Sequence, residues 1–366
     1  MIGRDNPTVG PTVGPIVYYI SGHGLGHASR SVELIGALKT LRPDLAFVIR
    51  TRAHPRFFDP IRGPGVDVQP LDTDTGIVQI DSLRLDQDES ARCAAVFYDD
   101  FDRRVDAEAD VLQQLGASLV VADIPPLAIA AADRAGIQSI AVGNFTWDWI
   151  YAYYARFEPI APGVIGTIAL AYAAADLALR LPIHGGFESM QAVTADVPLI
   201  ARRSVRDPAD TRRLLGVDGG RPIVLASFGG HGLRLDYAPI IRSGLTVLDA
   251  EPPLPAGLRY EDLVAAADVV VSKPGYGIVS ECAANGTALL YTSRGPFAEY
   301  DVMVAEMPRL LRCRYLAQED LLAGRWTNAI EALLAQPLPL AQPRVDGASV
   351  AAARILERLE DDQKST

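Results

Sequence analysis

The chain has 366 residues, of which 49% are hydrophobic and 22% are charged, and its formal net charge is -11. This length suits two domains with cores of ordinary size, and so acidic a chain is a poor partner for nucleic acid. The three cysteines form no CxxC pair, which argues against a disulfide framework and predicts a reducing, cytoplasmic compartment.

The first half of the chain alternates between strand-like and helix-like segments. Residues 1–14 are polar and rich in proline and glycine, which predicts a flexible tail without a signal peptide. Residues 16–21 and 45–51 read as buried strands, and apolar residues between them recur at helical spacing until Pro43. The segment 118–144 repeats this order, with Gly136 ending its helix. These βαβ units predict a parallel sheet.

The pattern restarts after residue 220. The strand-like runs 222–228, 268–272 and 288–293 predict a second α/β domain. The charged segment 201–213 has no apolar period and is predicted to be a linker, within which a solvated helix stays open. The longest apolar run, 163–182, contains two charged residues, so we expect a buried helix instead of a membrane span.

The first strand is followed by a glycine loop, SGHGLGH, at residues 21–27. Backbone N–H groups and a helix dipole converge where such a loop enters a helix, which favours an anion site. The spacing lacks the third glycine of the dinucleotide fingerprint, and the next strand ends in Arg50, Thr51 and Arg52 without an acid. NAD is therefore disfavoured, and NADP is an alternative.

Two histidines of this loop, His23 and His27, are four residues apart. On a helix that spacing could bind a metal, but Gly24 and Gly26 disfavour a helix there and no cluster of further ligands follows, so we expect no metal. From spacing alone each histidine is either a hydrogen-bonding anchor or a general base.

A second glycine-rich segment, KPGYGIVSECAANG, spans residues 273–286. Its glycines lead into a helix that carries Ser280 and Glu281 in its first turns. A carboxylate can accept two hydrogen bonds, as the vicinal hydroxyls of a ribose require. The SFGGHG segment upstream adds further amides. The alternative is that these glycines only allow tight packing and Glu281 is a solvated helix residue.

Together these motifs resemble the GT-B nucleotide-sugar glycosyltransferases, and among them the MurG-like, family 28-like group. The similarity is closer still to the N-terminal, glycosyltransferase-like half of plant L-arabinokinases. It runs through GHGLGHASR, VVADIPPLAIAAADRAGIQSIAVGNFTWDWIYAYY, LRLPIHGGF, SFGGHG and KPGYGIVSE and covers most of the chain.

The resemblance implies an α/β GT-B fold, in which two Rossmann-like domains with parallel sheets face each other across a cleft. We expect a tail at 1–14, an acceptor domain at 15–198, a nucleotide-sugar donor domain at 199–345, and a last helix and tail at 346–366. That last helix is expected to cross back to the first domain.

The resemblance also implies a donor site. Glu281 matches the carboxylate that binds the ribose diol, and Gly229 and Gly230 match the loop near the diphosphate. Glu299 and Asp301 fall where polar side chains meet the donor sugar. The predicted donor-binding residues are Gly24, Gly26, Ser227, Gly229, Gly230, His231, Lys273, Gly275, Tyr276, Gly277, Ser280, Glu281, Arg294, Glu299 and Asp301.

For catalysis, His27 matches the histidine that ends the first glycine loop of the MurG-like group. We expect His27 or Asp123 to take the proton of the acceptor hydroxyl, although Asp123 fits equally well as a cap of the next helix. The predicted acceptor contacts are His23, Asn144, Trp147 and Asp148, from an aromatic-rich region that also fits a core. Arg202 and Arg203 either reach a phosphate or belong to a solvated linker.

The predicted activity is metal-independent and cofactor-free transfer of a sugar from a nucleotide diphosphate, with UDP favoured, to a small-molecule or lipid-linked acceptor. The alternatives are a hydrolysing UDP-sugar 2-epimerase-like enzyme and a non-catalytic nucleotide-sugar-binding protein. Nothing resembles the kinase half of the plant proteins, so we do not expect phosphorylation of arabinose. The donor sugar, the acceptor, the stereochemistry, the oligomeric state and any peripheral membrane contact stay open.

Overall fold

The computed structural model describes residues 14–81, 83–217, 220–228, 235–249 and 254–365, and it contains two separate parallel sheets. The first sheet ends at Asp196 and the second begins at Ile223. The boundary that we expect between residues 198 and 199 thus falls in the segment that joins the two sheets.

The first sheet has seven strands in the order β3-β2-β1-β4-β5-β6-β7, and all neighbours are parallel. The strands are β1 (Ile16–Ile20), β2 (Phe47–Thr51), β3 (Val66–Pro70), β4 (Leu119–Asp123), β5 (Ser139–Phe145), β6 (Leu177–Gly185) and β7 (Thr194–Asp196). Strands β1, β2, β4 and β5 are buried throughout, which explains their continuous apolar sequences. The strand order reverses between β1 and β4, and ligands of open α/β sheets bind at such a switch point.

The helices of this domain are α1 (Leu25–Leu41), α2 (Gln87–Asp99), α3 (Phe101–Leu115), α4 (Pro126–Ala135), α5 (Trp147–Ala152), α6 (Phe157–Ile160) and α7 (Val164–Ala173), with 3-10 turns at Pro55–Ile61 and Glu188–Val193. Helix α1 ends two residues before Pro43, because a residue that precedes proline disfavours the helical conformation. Helix α4 ends at Gly136, which is left-handed as the sequence predicts.

The second sheet has the order β12-β11-β10-β8-β9, again with parallel neighbours. Its strands are β8 (Ile223–Ala226), β9 (Thr246–Asp249), β10 (Val269–Ser272), β11 (Ala288–Tyr291) and β12 (Cys313–Tyr315). The helices are α8 (Pro208–Leu215), α9 (Ala238–Arg242), α10 (Tyr260–Ala266), α11 (Tyr276–Asn285), α12 (Ala298–Leu310), α13 (Gln318–Leu322) and α14 (Thr327–Leu334). The switch point of this sheet lies between β8 and β10.

The last helix, α15 (Gly347–Ser365), returns to the first domain and packs on α1. Its apolar residues Ala351, Ala352, Ile355 and Leu359 are buried in the same core as Leu34 and Leu38 of α1. This is the crossing that the resemblance implies.

Some sequence-based predictions differ from the structure in detail. The apolar run 163–182 is not one helix, since α7 ends at Ala173 and β6 begins at Leu177. Between them, the Asp176 carboxylate accepts a hydrogen bond from the backbone N–H of Ser139, which sets β6 beside β5. The linker 201–213 does contain a helix, α8, which Asp207 caps. Gly14, expected in the tail, accepts a hydrogen bond from Ser118.

Candidate functional site

Two glycine-rich turns, one from each domain, meet at the cleft. Helix α1 begins after Gly24 and helix α11 begins after Gly275, each beside the switch point of its own sheet. A methyl group built on Gly26 would lie 3.7 Å from the backbone nitrogen of Gly277, and one built on Gly277 would lie 3.5 Å from Cα of Gly26. Two helix N-termini, with their free N–H groups and partial positive charge, therefore converge on one region.

His27 lies in the first turn of α1, where Asp123 at the end of β4 holds its ring. The distance from Nδ1 of His27 to Oδ1 of Asp123 is 2.8 Å, and both side chains are buried. An ionised carboxylate can only accept, so Nδ1 carries a hydrogen, and in the neutral ring Nε2 then keeps its lone pair. Phe145 packs edge-on against the ring, with 5.5 Å between centroids.

Asp123 is completely buried and accepts four hydrogen bonds, which fill the capacity of a carboxylate. Beside His27, Nε and NH2 of Arg30 lie 2.6 and 2.5 Å from its two oxygens, and Ser31 donates to Oδ2 at 3.0 Å. Burial raises the pKa of the Asp123 carboxyl, but Arg30 and His27 outweigh it and hold the pKa below its usual range. Asp123 does not cap α4, which begins after Pro125 without a side-chain cap.

Asn144, at the end of β5, uses both ends of its amide within the first domain. Its Oδ1 accepts from NH1 of Arg30 at 2.5 Å, and its Nδ2 donates to the carbonyl of Pro182 at 2.7 Å. The side chain is 3% exposed. In this structure Asn144, predicted as an acceptor contact, supports Arg30.

His23 forms a second histidine–aspartate pair on the same loop. Its Nε2 lies 3.2 Å from the carbonyl and 3.5 Å from Oδ1 of Asp74, a buried residue of the loop after β3. Burial raises the pKa of the Asp74 carboxyl, which His23 and His27 partly offset. The ring lies over Gly76, where a Cβ would come within 2.2 Å of Cγ of His23. Unlike His27, His23 has an exposed side chain, so it stays available to a ligand.

The two other predicted acceptor residues lie on α5. The indole N–H of Trp147 donates to Oδ2 of Asp74 at 3.1 Å, and its ring stacks on Tyr151 with 5.6 Å between centroids. Trp147 is 4% exposed, so it lies in the core, which was the alternative to an acceptor contact at the surface. Asp148 accepts from Ser189 at 3.4 Å, and burial raises the pKa of the Asp148 carboxyl.

Glu281 is buried in the second turn of α11, where the two domains meet. Arg202 of the joining segment places NH2 and Nε 2.5 and 2.7 Å from Oε1, and Ser29 of α1 donates to the same oxygen at 3.5 Å. Burial raises the pKa of the Glu281 carboxyl, and Arg202 works against that shift. Arg202 thus holds a carboxylate, and Glu281 is not a solvated helix residue.

Beside Glu281 lies a cavity of about 20 Å³ between the domains. Its polar lining consists of Ser29, Arg30, Asn144, Tyr276, Ser280 and Glu281. A volume of this size holds about one water molecule, far less than the several hundred Å³ of a typical ligand pocket. This part of the cleft is therefore nearly closed.

Two cations, the partly buried Lys273 and the buried Arg294, follow strands β10 and β11. Burial and the charge of Arg294 lower the pKa of Lys273 to about 8, and burial also lowers the pKa of Arg294. Arg294 stacks on Phe297 and lies 3.8 Å from Glu299, while Lys273 reaches Gln79 of the first domain at 3.4 Å. The pair of cations faces the first domain and suits an anionic ligand.

The other predicted donor residues are only partly described. Oγ of Ser227 lies 2.7 Å from the hydroxyl of Tyr260, and Asp301 is exposed in the first turn of α12. Gly229, Gly230 and His231, from the loop expected near the diphosphate, lie outside the described residues.

The NADP alternative depends on an arginine at the end of β2. Nε and NH2 of Arg50 lie 2.7 and 2.6 Å from the carboxylate of Glu108, and both residues are buried. Arg52 pairs with Asp72 at the surface. Arg50 is thus already neutralised inside the domain, which disfavours this alternative.

Similarity to solved structures decides the fold. The calicheamicin glycosyltransferase CalG4 has a TM-score of 0.59 and 15% identity, over 95% of this chain and 98% of that one. The glycotransferase of kitacinnamycin has a TM-score of 0.60 and 16% identity, over 95% of this chain and all of the other. The chain has the GT-B fold. A further GT-B match is Arabidopsis thaliana UGT89C1, solved with quercetin, at a TM-score of 0.57 and 13% identity over 95% and 94% of the two chains.

Sequence comparison adds one curated relative of much greater length. An L-arabinokinase of Arabidopsis thaliana is 29% identical over an alignment of 357 residues, and the match covers 92% of this chain and 33% of the relative. The chain therefore spans about a third of the length of that protein. No protein-family model matches the chain.

Sequence reasoning missed three residues that the structure places at the site, namely Arg30, Ser31 and Asp74. Arg30 and Ser31 follow His27 by three and four positions, so one face of α1 presents all three side chains to Asp123. That helical spacing is visible in HASRS once α1 is known to begin at Leu25. Asp74 gave no comparable signal, because it lies in a loop whose path only the folded chain defines.

Proposed function

We propose that this chain is a glycosyltransferase that moves a sugar from a nucleotide diphosphate donor, with UDP favoured, to the hydroxyl of an acceptor. The observation that carries the proposal is the His27–Asp123 pair, which lies at the point where the N-termini of α1 and α11 converge. The histidine can accept a proton, and the two helix N-termini can stabilise an anionic leaving group.

In the proposed reaction, Nε2 of His27 takes the proton of the acceptor hydroxyl. The hydroxyl oxygen then forms a bond to the anomeric carbon, and the bond from that carbon to the diphosphate breaks, so the diphosphate leaves with the electron pair. A single displacement of this kind inverts the anomeric centre. Asp123 orients the ring and stabilises its charged form, but its saturated carboxylate does not itself act as the base.

Negative charge on the leaving diphosphate would be stabilised by the two helix N-termini and by Lys273 and Arg294. Arg294 is buried and Lys273 is partly buried, and interactions with an anion are stronger where water is excluded. The proposal needs no metal ion and no cofactor, and the described residues contain no group of three or more potential metal ligands.

Glu281 is the proposed ligand of the ribose diol. The contacts from Arg202 and Ser29 all fall on Oε1, and Glu281 lines the cavity between the domains. UDP is favoured because the GT-B neighbours include UGT89C1 solved with UDP and Phytolacca americana UGT2 solved with UDP-2fluoro-glucose and pterostilbene. Since the cavity beside Glu281 holds about one water, a nucleotide there requires the two domains to move apart.

The acceptor is proposed to bind on the first domain, with His23 as its exposed polar contact. A hydroxylated small molecule and a lipid-linked sugar would each supply a hydroxyl group for this contact. The described residues include no helix long and apolar enough to cross a membrane. The proposed compartment is the cytoplasm, based on the unpaired cysteines.

The test has two stages. Calorimetric titration with UDP, GDP and dTDP identifies the base, and a panel of sugar donors of that base with hydroxylated acceptors then identifies the transfer. Binding of one nucleoside diphosphate and acceptor-dependent turnover would support the proposal. Release of free UDP without any acceptor would indicate a hydrolysing enzyme instead, and failure to bind any nucleotide would overturn the proposal.

A further inference from the structure

The proposed reaction leaves unexplained a buried arginine that contacts both members of the His27–Asp123 pair. We propose that Arg30 is a positioning residue that holds Asp123 as a carboxylate and thereby keeps His27 in the tautomer that can accept a proton. This inference rests on the proposed function, in which His27 is the base, and adds Arg30 as the residue that controls the state of that base.

The geometry of Arg30 suits this role. Its guanidinium forks onto Asp123 through Nε at 2.6 Å and NH2 at 2.5 Å. The same NH2 lies 3.0 Å from Nδ1 of His27 because both nitrogens donate to Oδ1 of Asp123, so the two donors share one acceptor. Its remaining nitrogen, NH1, is anchored on Asn144, which is tied in turn to Pro182 of β6. Arg30 is 7% exposed, so water does not replace these contacts.

The need for Arg30 follows from the burial of Asp123. A carboxyl removed from water favours its protonated form. A protonated Asp123 would donate to Nδ1 of His27, and the ring hydrogen would then sit on Nε2, the atom that must accept the acceptor proton. A cation with two hydrogen bonds to the carboxylate prevents this exchange.

The other described groups around Asp123 carry no permanent positive charge that would keep it ionised. From α1, His27 and Ser31 donate to it, and from β1 the buried phenol of Tyr18 lies close. Tyr276 of α11 faces Arg30 from the other domain. Among the described residues, Arg30 is thus the one permanently charged cation that contacts Asp123.

The same domain contains a matched control. Arg50 forks onto the buried Glu108 with distances of 2.7 and 2.6 Å, much as Arg30 forks onto Asp123. The Arg50 pair is hydrogen-bonded to Tyr19 and Gln69, and none of these bonds involves His27. Replacing Arg50 therefore removes a similar buried ion pair without disturbing the base.

The kinetic test compares Arg30→Gln, Arg30→Lys and Arg50→Gln. We expect Arg30→Gln to lower kcat by about 10²–10⁴-fold, the size of a lost general base, with an unchanged KM for the donor. Its activity should recover as the pH rises and Asp123 loses its proton, whereas wild type and Arg50→Gln should share one pH profile. Arg30→Lys keeps the charge without the fork and should fall between wild type and Arg30→Gln.

A second readout does not depend on turnover. Nitrogen NMR of labelled protein reports which ring nitrogen of His27 carries the hydrogen, with the His27→Gln variant used for assignment. We expect hydrogen on Nδ1 in wild type and in Arg50→Gln, and on Nε2 in Arg30→Gln at neutral pH. An unchanged tautomer and an unchanged pH profile in Arg30→Gln would overturn the inference. A changed tautomer in a chain that transfers no sugar would contradict only the proposed function.

Discussion

Arg202, in the segment that joins the two domains, places two nitrogens 2.5 and 2.7 Å from one oxygen of Glu281 in the second domain. Glu281 is also the proposed ligand of the donor ribose. Arg202, which holds it, belongs to the segment about which the two domains would move apart. Binding of a nucleotide and movement of the domains are therefore expected to be linked through Glu281.

The first prediction concerns donor affinity. Glu281→Gln should weaken UDP binding by about 1–3 kcal/mol, because the diol hydroxyls lose a charged acceptor. Calorimetry at one salt concentration measures this difference. Glu306→Gln, which alters an exposed ion pair on α12, is the control and should bind UDP as wild type does. Equal affinity in both variants would show that Glu281 does not contact the donor.

Removal of the proposed base should separate catalysis from binding. His27→Ala is expected to lower turnover by about 10²–10⁴-fold while the UDP affinity stays close to that of wild type. His54→Ala removes a histidine from the exposed start of a 3-10 turn and should keep full activity. Normal turnover of His27→Ala would make the histidine a structural anchor.

Lys273 should make donor binding depend on pH. Its pKa is lowered to about 8 by burial and by Arg294, so its positive charge is present below about pH 8 and lost above it. The affinity for a nucleoside diphosphate should therefore fall as the pH rises through 8. In Lys273→Met this part of the pH dependence should disappear, which titrations from pH 7 to 9 would detect. Lys39→Met, on the exposed end of α1, should titrate as wild type does.

The same group gives a prediction for stability. The unfolded chain keeps the ordinary pKa of 10.5, so between about pH 8 and 10.5 it binds more protons than the folded chain. The free energy of unfolding should rise with pH over this window, since the cost of the buried charge is complete below about pH 8 and is relieved above it. Lys273→Met should be more stable than wild type at pH 7 in denaturant titrations and should show less of this rise.

Gly76 provides a test of the second histidine–aspartate pair. A Cβ at Gly76 would lie 2.2 Å from Cγ of His23, whereas a Cβ at Gly116 meets no atom within 4 Å. The φ values of these glycines, 55° and 58°, are nearly equal, so both Ala variants carry similar backbone strain. Gly76→Ala should therefore lower the free energy of unfolding further than Gly116→Ala, and it should also weaken acceptor binding. Equal losses of stability would show that the ring of His23 moves away freely.

Much of the architecture could be predicted from local pattern. The alternation of apolar runs with helical segments is a property of neighbouring residues, so β1, α1, β2 and the β4–α4–β5 unit follow from the sequence. The run 163–182 shows the limit of such reasoning. Its apolar content fits a buried helix or a buried strand, and the bond from Ser139 to Asp176 that separates α7 from β6 joins residues 37 positions apart.

By itself the sequence determined that the chain forms two α/β domains, that both carry a glycine loop at a helix start, and that His27, Asp123 and Glu281 are candidates for the site. These features depend on residue type and spacing along the chain. Only the tertiary structure decided which groups meet: Arg30 and Ser31 on Asp123, Asp74 under His23, and Arg202 on Glu281. The physical reason is that hydrogen bonds and ion pairs act over about 3 Å in space, whereas their partners here are separated by as many as 93 residues along the chain.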